Sequence, residues 1–165
     1  MILKGSAANI TGTASNFGRA TRIRVGATNA GTVTVAAALG TFNAASAVDG
    51  VTITISSHGF VTGDEVTYSD GGGTAITELT DGRNYHVINL TANTLSLANT
   101  HQNAERGTAI SLTDGSSENH TITATNTHAG TVVLVQNDVL IIDKKPSDTI
   151  AASGTMTGTS VGNQP

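Results

Sequence analysis

The feature that most constrains the fold is a series of short alternating segments in the middle of the chain. VTITIS, EVTYS, YHVINL, TLSLA, AISL and HTITA follow one another between residues 51 and 124, and stretches such as HGFVTGD, DGGG and TDGRN separate them. Alternation of apolar and polar residues is typical of strands with one buried face, whereas Gly, Asn and Asp favour turns. Short strands at this spacing predict a small β-barrel or β-sandwich. One helical turn is expected, at residues 101–105.

Alternation also assigns the side chains of these strands to faces. The residues expected to share inward faces are Val51, Ile53 and Ile55, then Val66 and Tyr68, then Tyr85 and Val87. His86 and Ile88 are expected to point the other way.

Composition supports an all-β chain and excludes several function classes. Thr, Ala and Gly are the commonest of the 165 residues, and charged residues make up only 12%. Without cysteine there is no disulfide, no Cys-based zinc site and no thiol nucleophile. The N-terminal MILKGSAAN has too short an apolar run for a signal peptide, and no stretch is long enough to span a membrane. The net charge of −4 argues against a nucleic-acid binder, so a soluble protein made in a cytoplasm is expected.

The two ends of the chain carry further strand patterns. TRIRV at residues 21–25 predicts a strand with Ile23 and Val25 inward and a basic face at Arg22 and Arg24. TVTVAAA follows it. TVVLV and VLIID, joined by the turn Gln-Asn-Asp at 136–138, predict a hairpin whose apolar runs are buried on both faces. The tail MTGTSVGNQP is expected to add a last edge strand.

Charge divides the chain into two regions. Residues 41–126 hold nine acidic and two basic residues, a net charge of −7, whereas the flanks hold six basic and three acidic residues, a net charge of +3. We expect residues 1–40 and 127–165 to form an outer β domain and residues 41–126 to form a β module inserted into one of its loops, since neither flank alone offers enough strands for a stable sheet. The alternative is a linear array of two or three β units.

Candidates for chemistry in the middle region are weak. The glycine triplet at 71–73 suggests a phosphate-binding loop, but no Lys-Ser/Thr pair and no helix follow it, so a turn with positive φ angles is favoured. Asp64 and Glu65 are adjacent, and adjacent residues of a strand point to opposite faces, so they do not form a paired-carboxylate site.

Metal sites and nucleophiles have no motif either. The five histidines are isolated in sequence, and neither DGSSEN nor SDGGG has the spaced acids of a known calcium loop. A site assembled in space stays open. Because there is also no GxSxG elbow, we predict a non-enzymatic protein that needs no cofactor.

The basic residues of the flanks are the one candidate binding site. Alternation places two arginines on one side of a strand, which suggests a docking patch for an acidic partner, unless it is simply a solvated strand face. The predicted patch comprises Arg19, Arg22, Arg24, Lys144 and Lys145.

Two stretches carry a resemblance to known proteins. HGFVTGDEVTYSDGGGTAITELTDGRNYHVINLTANTLSLANT, followed by AERGTAISLTDGSSENHTIT, resembles a module that recurs in structural proteins of tailed bacteriophages, marine and cyanobacterial ones especially, and in some large bacterial surface proteins. The flanks, which begin MILKGS and end on DVLIIDKKPSDTIAA before a short strand, are similar in outline to small virion proteins of marine phages.

The resemblance implies a building block of a virus particle with no catalytic residues. The first hypothesis is a capsid decoration or cement protein, located on the virion. Its outer domain would dock on the major capsid protein while its acidic module projects, and such proteins commonly act as homo-oligomers, often trimers. A tail or neck accessory protein is the second hypothesis. A module that binds host-surface glycans is a third, and an enzyme ranks last. Neither nucleic acid nor a membrane is an expected partner.

Overall fold

The computed structural model describes residues 2–3, 7–17, 19–113, 115, 117–125 and 128–162. It divides into two compact units, residues 1–37 with 126–165, here called the flanking unit, and residues 38–125, here called the inserted module. The predicted module, 41–126, differs from these bounds by three residues at its start and one at its end. The difference at the start arises because the strand Leu39–Asn43 pairs with Asn119–Ala124 inside the module.

The flanking unit is built from eight described strands in two antiparallel sheets. The strands are β1 (Ile2–Leu3), β2 (Ala8–Ile10), β3 (Arg22–Ala27), β4 (Gly31–Ala36), β12 (Gly130–Leu134), β13 (Val139–Asp143), β14 (Thr149–Ala152) and β15 (Met156–Gly162). One sheet has the order β1-β15-β3-β13, with β2 also paired to β15, and the other has the order β12-β4-β14. Strands from before and after the module therefore alternate within both sheets.

One apolar core lies between these two sheets. The first sheet contributes Ile23, Val25 and Met156, and the second contributes Val33 and Ile150, all of them buried. The predicted faces of β3 are confirmed, since its burial alternates strictly and leaves Arg22 and Arg24 on the outer side. The flanking unit is thus an all-β sandwich, as the strand patterns predict.

Three predictions for the flanks are wrong. β12 and β13 do not form a hairpin, because β12 pairs with β4 in one sheet and β13 pairs with β3 in the other. Their side chains are also not buried on both faces, since four of the five residues of β12 are exposed. The tail does form a strand, but β15 lies inside its sheet between β3 and the N-terminal strands, so it is not an edge strand.

The inserted module contains one open seven-stranded antiparallel sheet, in the order β5-β11-β8-β9-β10-β7-β6. Its strands are β5 (Leu39–Asn43), β6 (Val48–Asp49), β7 (Thr52–Thr54), β8 (Glu65–Ser69), β9 (Asn84–Asn89), β10 (Thr94–Ala98) and β11 (Asn119–Ala124). No pairing among the described residues closes this sheet into a barrel.

Most predicted positions in the module are confirmed. Tyr68, Tyr85 and Val87 are fully buried, and the expected helical turn is α2 (His101–Glu105), which packs its Ala104 against Ile88. A second short helix, α1 (Ala44–Ala47), begins at an Asn43 cap. Two details are wrong: AISL is not a strand, and Val51 lies in an exposed turn because β7 begins only at the next residue.

Candidate functional site

His58 in the opening HGF of the resembling stretch is a structural residue. Its Nδ1 accepts a hydrogen bond from the Phe60 amide at 3.1 Å, so the ring proton sits on Nε2. Nε2 donates to the Thr91 carbonyl at 3.0 Å. The buried imidazole therefore ties residues 58–60 to the turn before β10, and both of its nitrogens are used.

The adjacent acids Asp64 and Glu65 have separate partners. Asp64 Oδ2 accepts from the Val61 amide at 2.9 Å and closes the turn that precedes β8. Glu65 Oε2 accepts from the Thr125 hydroxyl at 3.0 Å, beside the end of β11. Each carboxylate holds a different connection, so the prediction that they form no acid-base pair agrees with their positions.

The glycine triplet forms a loop whose amides donate to groups of the module itself: Gly71 to the Ser69 hydroxyl, Gly72 to a carboxylate and Gly73 to a backbone carbonyl. Gly71 and Gly72 have φ angles of 69° and 85°, the positive values predicted for them. The Gly72 amide donates to Asp70 Oδ1 at 2.8 Å, and the Thr74 amide donates to Glu118 Oε2 at 2.8 Å. The loop amides that could bind a phosphate are therefore already hydrogen-bonded within the module.

Two tyrosine hydroxyls anchor the loop that follows. Tyr68 accepts from the Ile76 amide at 3.1 Å and is hydrogen-bonded to His120 Nδ1 at 2.7 Å, and Tyr85 accepts from the Thr80 amide at 2.8 Å. Burial raises the pKa of Tyr68, with the Ile76 hydrogen bond acting in the opposite direction. These rings hold the segment between β8 and β9 onto the sheet, a role that alternation alone does not reveal.

The histidines do not assemble a metal centre among the described residues. His86 and His101 approach with ring centroids 5.7 Å apart, and His101 Nε2 lies 3.9 Å from Glu105 Oε1. No group of three or more metal-ligating side chains occurs in the described part of the chain. Of the two oxygen-rich loops, Asp114 and Ser116 of DGSSEN lie outside the described residues, while Asp70 Oδ1 of SDGGG is engaged by Gly72.

The predicted docking patch is only partly assembled. Arg22 and Arg24 share the outer face of β3, the exposed Arg19 precedes that strand, and Lys145 follows the end of the paired strand β13. The backbone joins these segments, since the Lys144 amide donates to the Thr21 carbonyl at 2.9 Å.

The prediction that Lys144 belongs to the docking patch is wrong, because its side chain is only 3% exposed. Its Nζ donates to the carbonyls of Lys145 and Asp148, both at 2.9 Å. Burial lowers the pKa of Lys144 to about 8, and the Asp148 carboxylate acts in the opposite direction. The ammonium therefore holds a turn together and is not available to a partner.

Arg22 is partly neutralised by its neighbour across the ladder. Its guanidinium forms a forked ion pair with Asp143, with Nη2 at 3.3 Å from Oδ2. The hydrogen bond raises the pKa of Arg22 and lowers the pKa of Asp143. Arg24, two residues further along β3, has no ion pair with a described residue.

Two apolar side chains complete this face and were not part of the predicted patch. In the ladder Ile141 is opposite Arg24 and Val139 is opposite Gly26, so both point outward beside the arginines. They are 47% and 55% exposed. We name the surface formed by Arg22, Arg24, Val139 and Ile141 the arginine face. The apolar run VLIID predicts buried side chains, so Val139 and Ile141 were not predicted to lie on an exposed face.

Comparison with protein families, with curated proteins and with solved structures gives no match to this chain. Within the described residues, no helix has the length and apolar character needed to cross a membrane.

Proposed function

We propose that the chain is a non-enzymatic structural protein of a tailed-phage particle, a decoration protein that docks on the major capsid protein and stabilises the head. The resemblance of residues 58–123 to a phage structural module, and of the flanks to small virion proteins, supports this class. The arginine face on the flanking unit is the observation that carries the docking role.

The arginine face has the composition of a protein interface. In the ladder Arg24 is opposite Ile141. On the same face, Val139 lies two residues before Ile141 on β13, and Arg22 lies two residues before Arg24 on β3. Arginine and exposed aliphatic groups together favour contact with another protein, since interface cores are enriched in Arg and in apolar area. The positive charge favours an acidic partner surface.

The interior of the module supports a scaffold role over glycan binding. Its aromatic residues Phe42, Phe60, Tyr68 and Tyr85 are all at most 4% exposed. A sugar ring normally stacks on an exposed aromatic platform, and these rings instead pack the core. His58, Asp64 and Glu65 are likewise engaged in holding turns and connections.

Charge reversal on the arginine face tests the proposal. In particles assembled with the major capsid protein of the encoding phage, Arg24→Glu should reduce incorporation of the chain at least tenfold, because about 1.4 kcal/mol of lost binding is sufficient for that. Arg106→Glu, an exposed arginine on the module, is the matched control and should incorporate normally. Copies per particle are counted by quantitative mass spectrometry.

Two outcomes would contradict the proposal. Equal incorporation of Arg24→Glu and the control would show that the arginine face does not dock. A copy number of a dozen or fewer in purified particles would place the chain at the tail or neck instead of on the capsid surface, where copies should number in the hundreds.

A further inference from the structure

The edge of the three-stranded sheet is open and apolar. β12 pairs with β4 on one side only, and no described strand pairs with its other side. Val132, Val133 and Val135 are 43%, 73% and 59% exposed. An edge strand directs every second N–H and C=O away from its neighbour, so β12 offers hydrogen-bonding groups as well as apolar side chains.

Apolar residues lie on both faces of this edge. Val132 is opposite the buried Val33 and therefore points to the core side, whereas Val133 is opposite Thr32 and points outward. Val132 stays half exposed because its position at the edge leaves one side uncovered. Side chains that are apolar on both faces are typical of a strand inside a sheet, whereas β12 has one neighbour, β4, among the described strands.

The edge lacks the devices that normally prevent association. Residues 129–136, AGTVVLVQ, contain no charged residue and no proline. Natural edge strands are usually protected by lysine, by proline or by a bulge. β12 has none of these, and its five residues pair with β4 in an unbroken register.

Charge complementarity identifies the occupant. The outer side of this sheet carries only uncharged residues, namely Thr32, Thr34, Ala36, Thr131, Val133, Thr149 and Ala151. A two-fold symmetric interface buries the same patch of both copies, so a neutral patch avoids like-charge repulsion, whereas an interface through the arginine face would bring positive charge against positive charge. The neutral edge therefore fits a second copy of the chain.

We infer that β12 pairs antiparallel with β12 of a second copy about a two-fold axis, which joins two three-stranded sheets into one of six strands. The second copy supplies the burial that the run TVVLV predicts and that one chain lacks. This inference does not depend on docking to a capsid.

Sedimentation velocity on the purified full chain tests the pairing, and Val133→Lys is the informative variant. The native chain should sediment as a dimer, and Val133→Lys should sediment at the 16.6 kDa of one chain. Because Val133 is so exposed, the substitution should leave the circular dichroism spectrum and thermal midpoint of the monomer unchanged. Val51→Lys, the same change at an exposed turn of the module, is the control and should remain dimeric.

Cysteine crosslinking gives a second, independent readout, because the chain contains no cysteine. Single cysteines at Thr131, Val132 and Val133 should form an intermolecular disulfide at one position only, since only the residue on the two-fold axis faces itself at disulfide distance. A monomeric native chain, a trimer, a dimeric Val133→Lys or the absence of a crosslink at all three positions would overturn the inference.

Discussion

Lys144 shows how backbone carbonyls can hold a buried cation. Its three carbonyl contacts, to Lys145, Pro146 and Asp148, come from residues of the same turn, and the Asp148 carboxylate closes that turn by accepting from the Lys145 amide at 2.8 Å. Desolvation penalises the charged form, so the pKa falls although the hydrogen bonds are good. The side chain therefore contributes a pH-dependent term to the stability of the flanking unit.

The sign of this term follows from the lowered pKa. Between pH 8 and pH 10.5 the folded chain has released the Lys144 proton while the unfolded chain still binds it, so the free energy of unfolding should rise with pH. The full gain is about 3 kcal/mol, at roughly 1.4 kcal/mol for each pH unit of the shift. Below pH 8 the term is constant, because both states are protonated.

Urea unfolding at several pH values, compared between the native chain and Lys144→Met, isolates this term. The native chain should gain stability relative to the variant across this window. Lys145→Met, the neighbouring lysine, should keep the native pH dependence. A difference between the native chain and Lys144→Met that does not change with pH would contradict the assignment.

At the scale of elements, the connection between β12 and β13 decides the architecture of the sandwich. It carries the chain from one sheet to the other, and Asn137 occupies the left-handed region with φ 71°. Its amide donates to the Ala27 carbonyl at 2.8 Å, while the Val135 amide donates to Asp138 Oδ2 at 2.9 Å. The first bond holds the turn against the end of β3, and the second closes the turn on itself.

Substitution at Asn137 should separate backbone strain from side-chain contacts. Asn137→Ala should lower the free energy of unfolding by about 1 kcal/mol, because alanine tolerates a positive φ poorly, whereas Asn137→Gly should change it by roughly 0.5 kcal/mol or less. Chemical denaturation of both variants measures the difference. Equal losses in the two would show that the side chain, and not the backbone, stabilises the turn.

The same connection marks the limit of what local sequence patterns predict. Alternation predicts the faces of Ile23, Val25, Tyr68 and Tyr85 correctly, because burial repeats every two residues whichever strand is the neighbour. It does not predict which strands pair. A Gln-Asn-Asp turn between two apolar runs fits a hairpin as well as a crossing between sheets, so the hairpin prediction failed.

The predicted composition of the docking patch was wrong in part for a related reason. Counting charges brings Lys144 into the patch, but the turn that buries it depends on contacts with Asp148. Val139 and Ile141 were left out because apolar runs were expected to be buried. Sequence predicts the outward arginines of β3 well, since alternation along one strand is sufficient for that.

At the scale of the whole molecule, each unit has its own buried core. Ile23 and Val33 belong to the flanking unit, while Ile122 and Leu95 are fully buried within the module. Separate cores favour separate cooperative units of unfolding.

Hydrogen exchange should resolve these units. Ile23→Ala should remove about 2 to 5 kcal/mol of protection from amides of β3 and β13, because it leaves a cavity, and should leave β8 and β9 unaffected. Ile122→Ala should do the reverse. Equal loss of protection in both units after either substitution would show that the chain unfolds as a single unit.

The two ends of the inserted module are adjacent, since the Ala124 amide donates to the Ala38 carbonyl at 2.9 Å. In an unfolded chain, pairing β4 with β12 must close a loop that includes residues 38–125, whereas a folded module leaves only a short gap to close. Because closure entropy grows with the logarithm of loop length, this lowers the entropic cost by about 2 to 3 kcal/mol. A module that folds first would therefore bring the two sequence-distant halves of the flanking unit close together and increase the rate at which their strands pair.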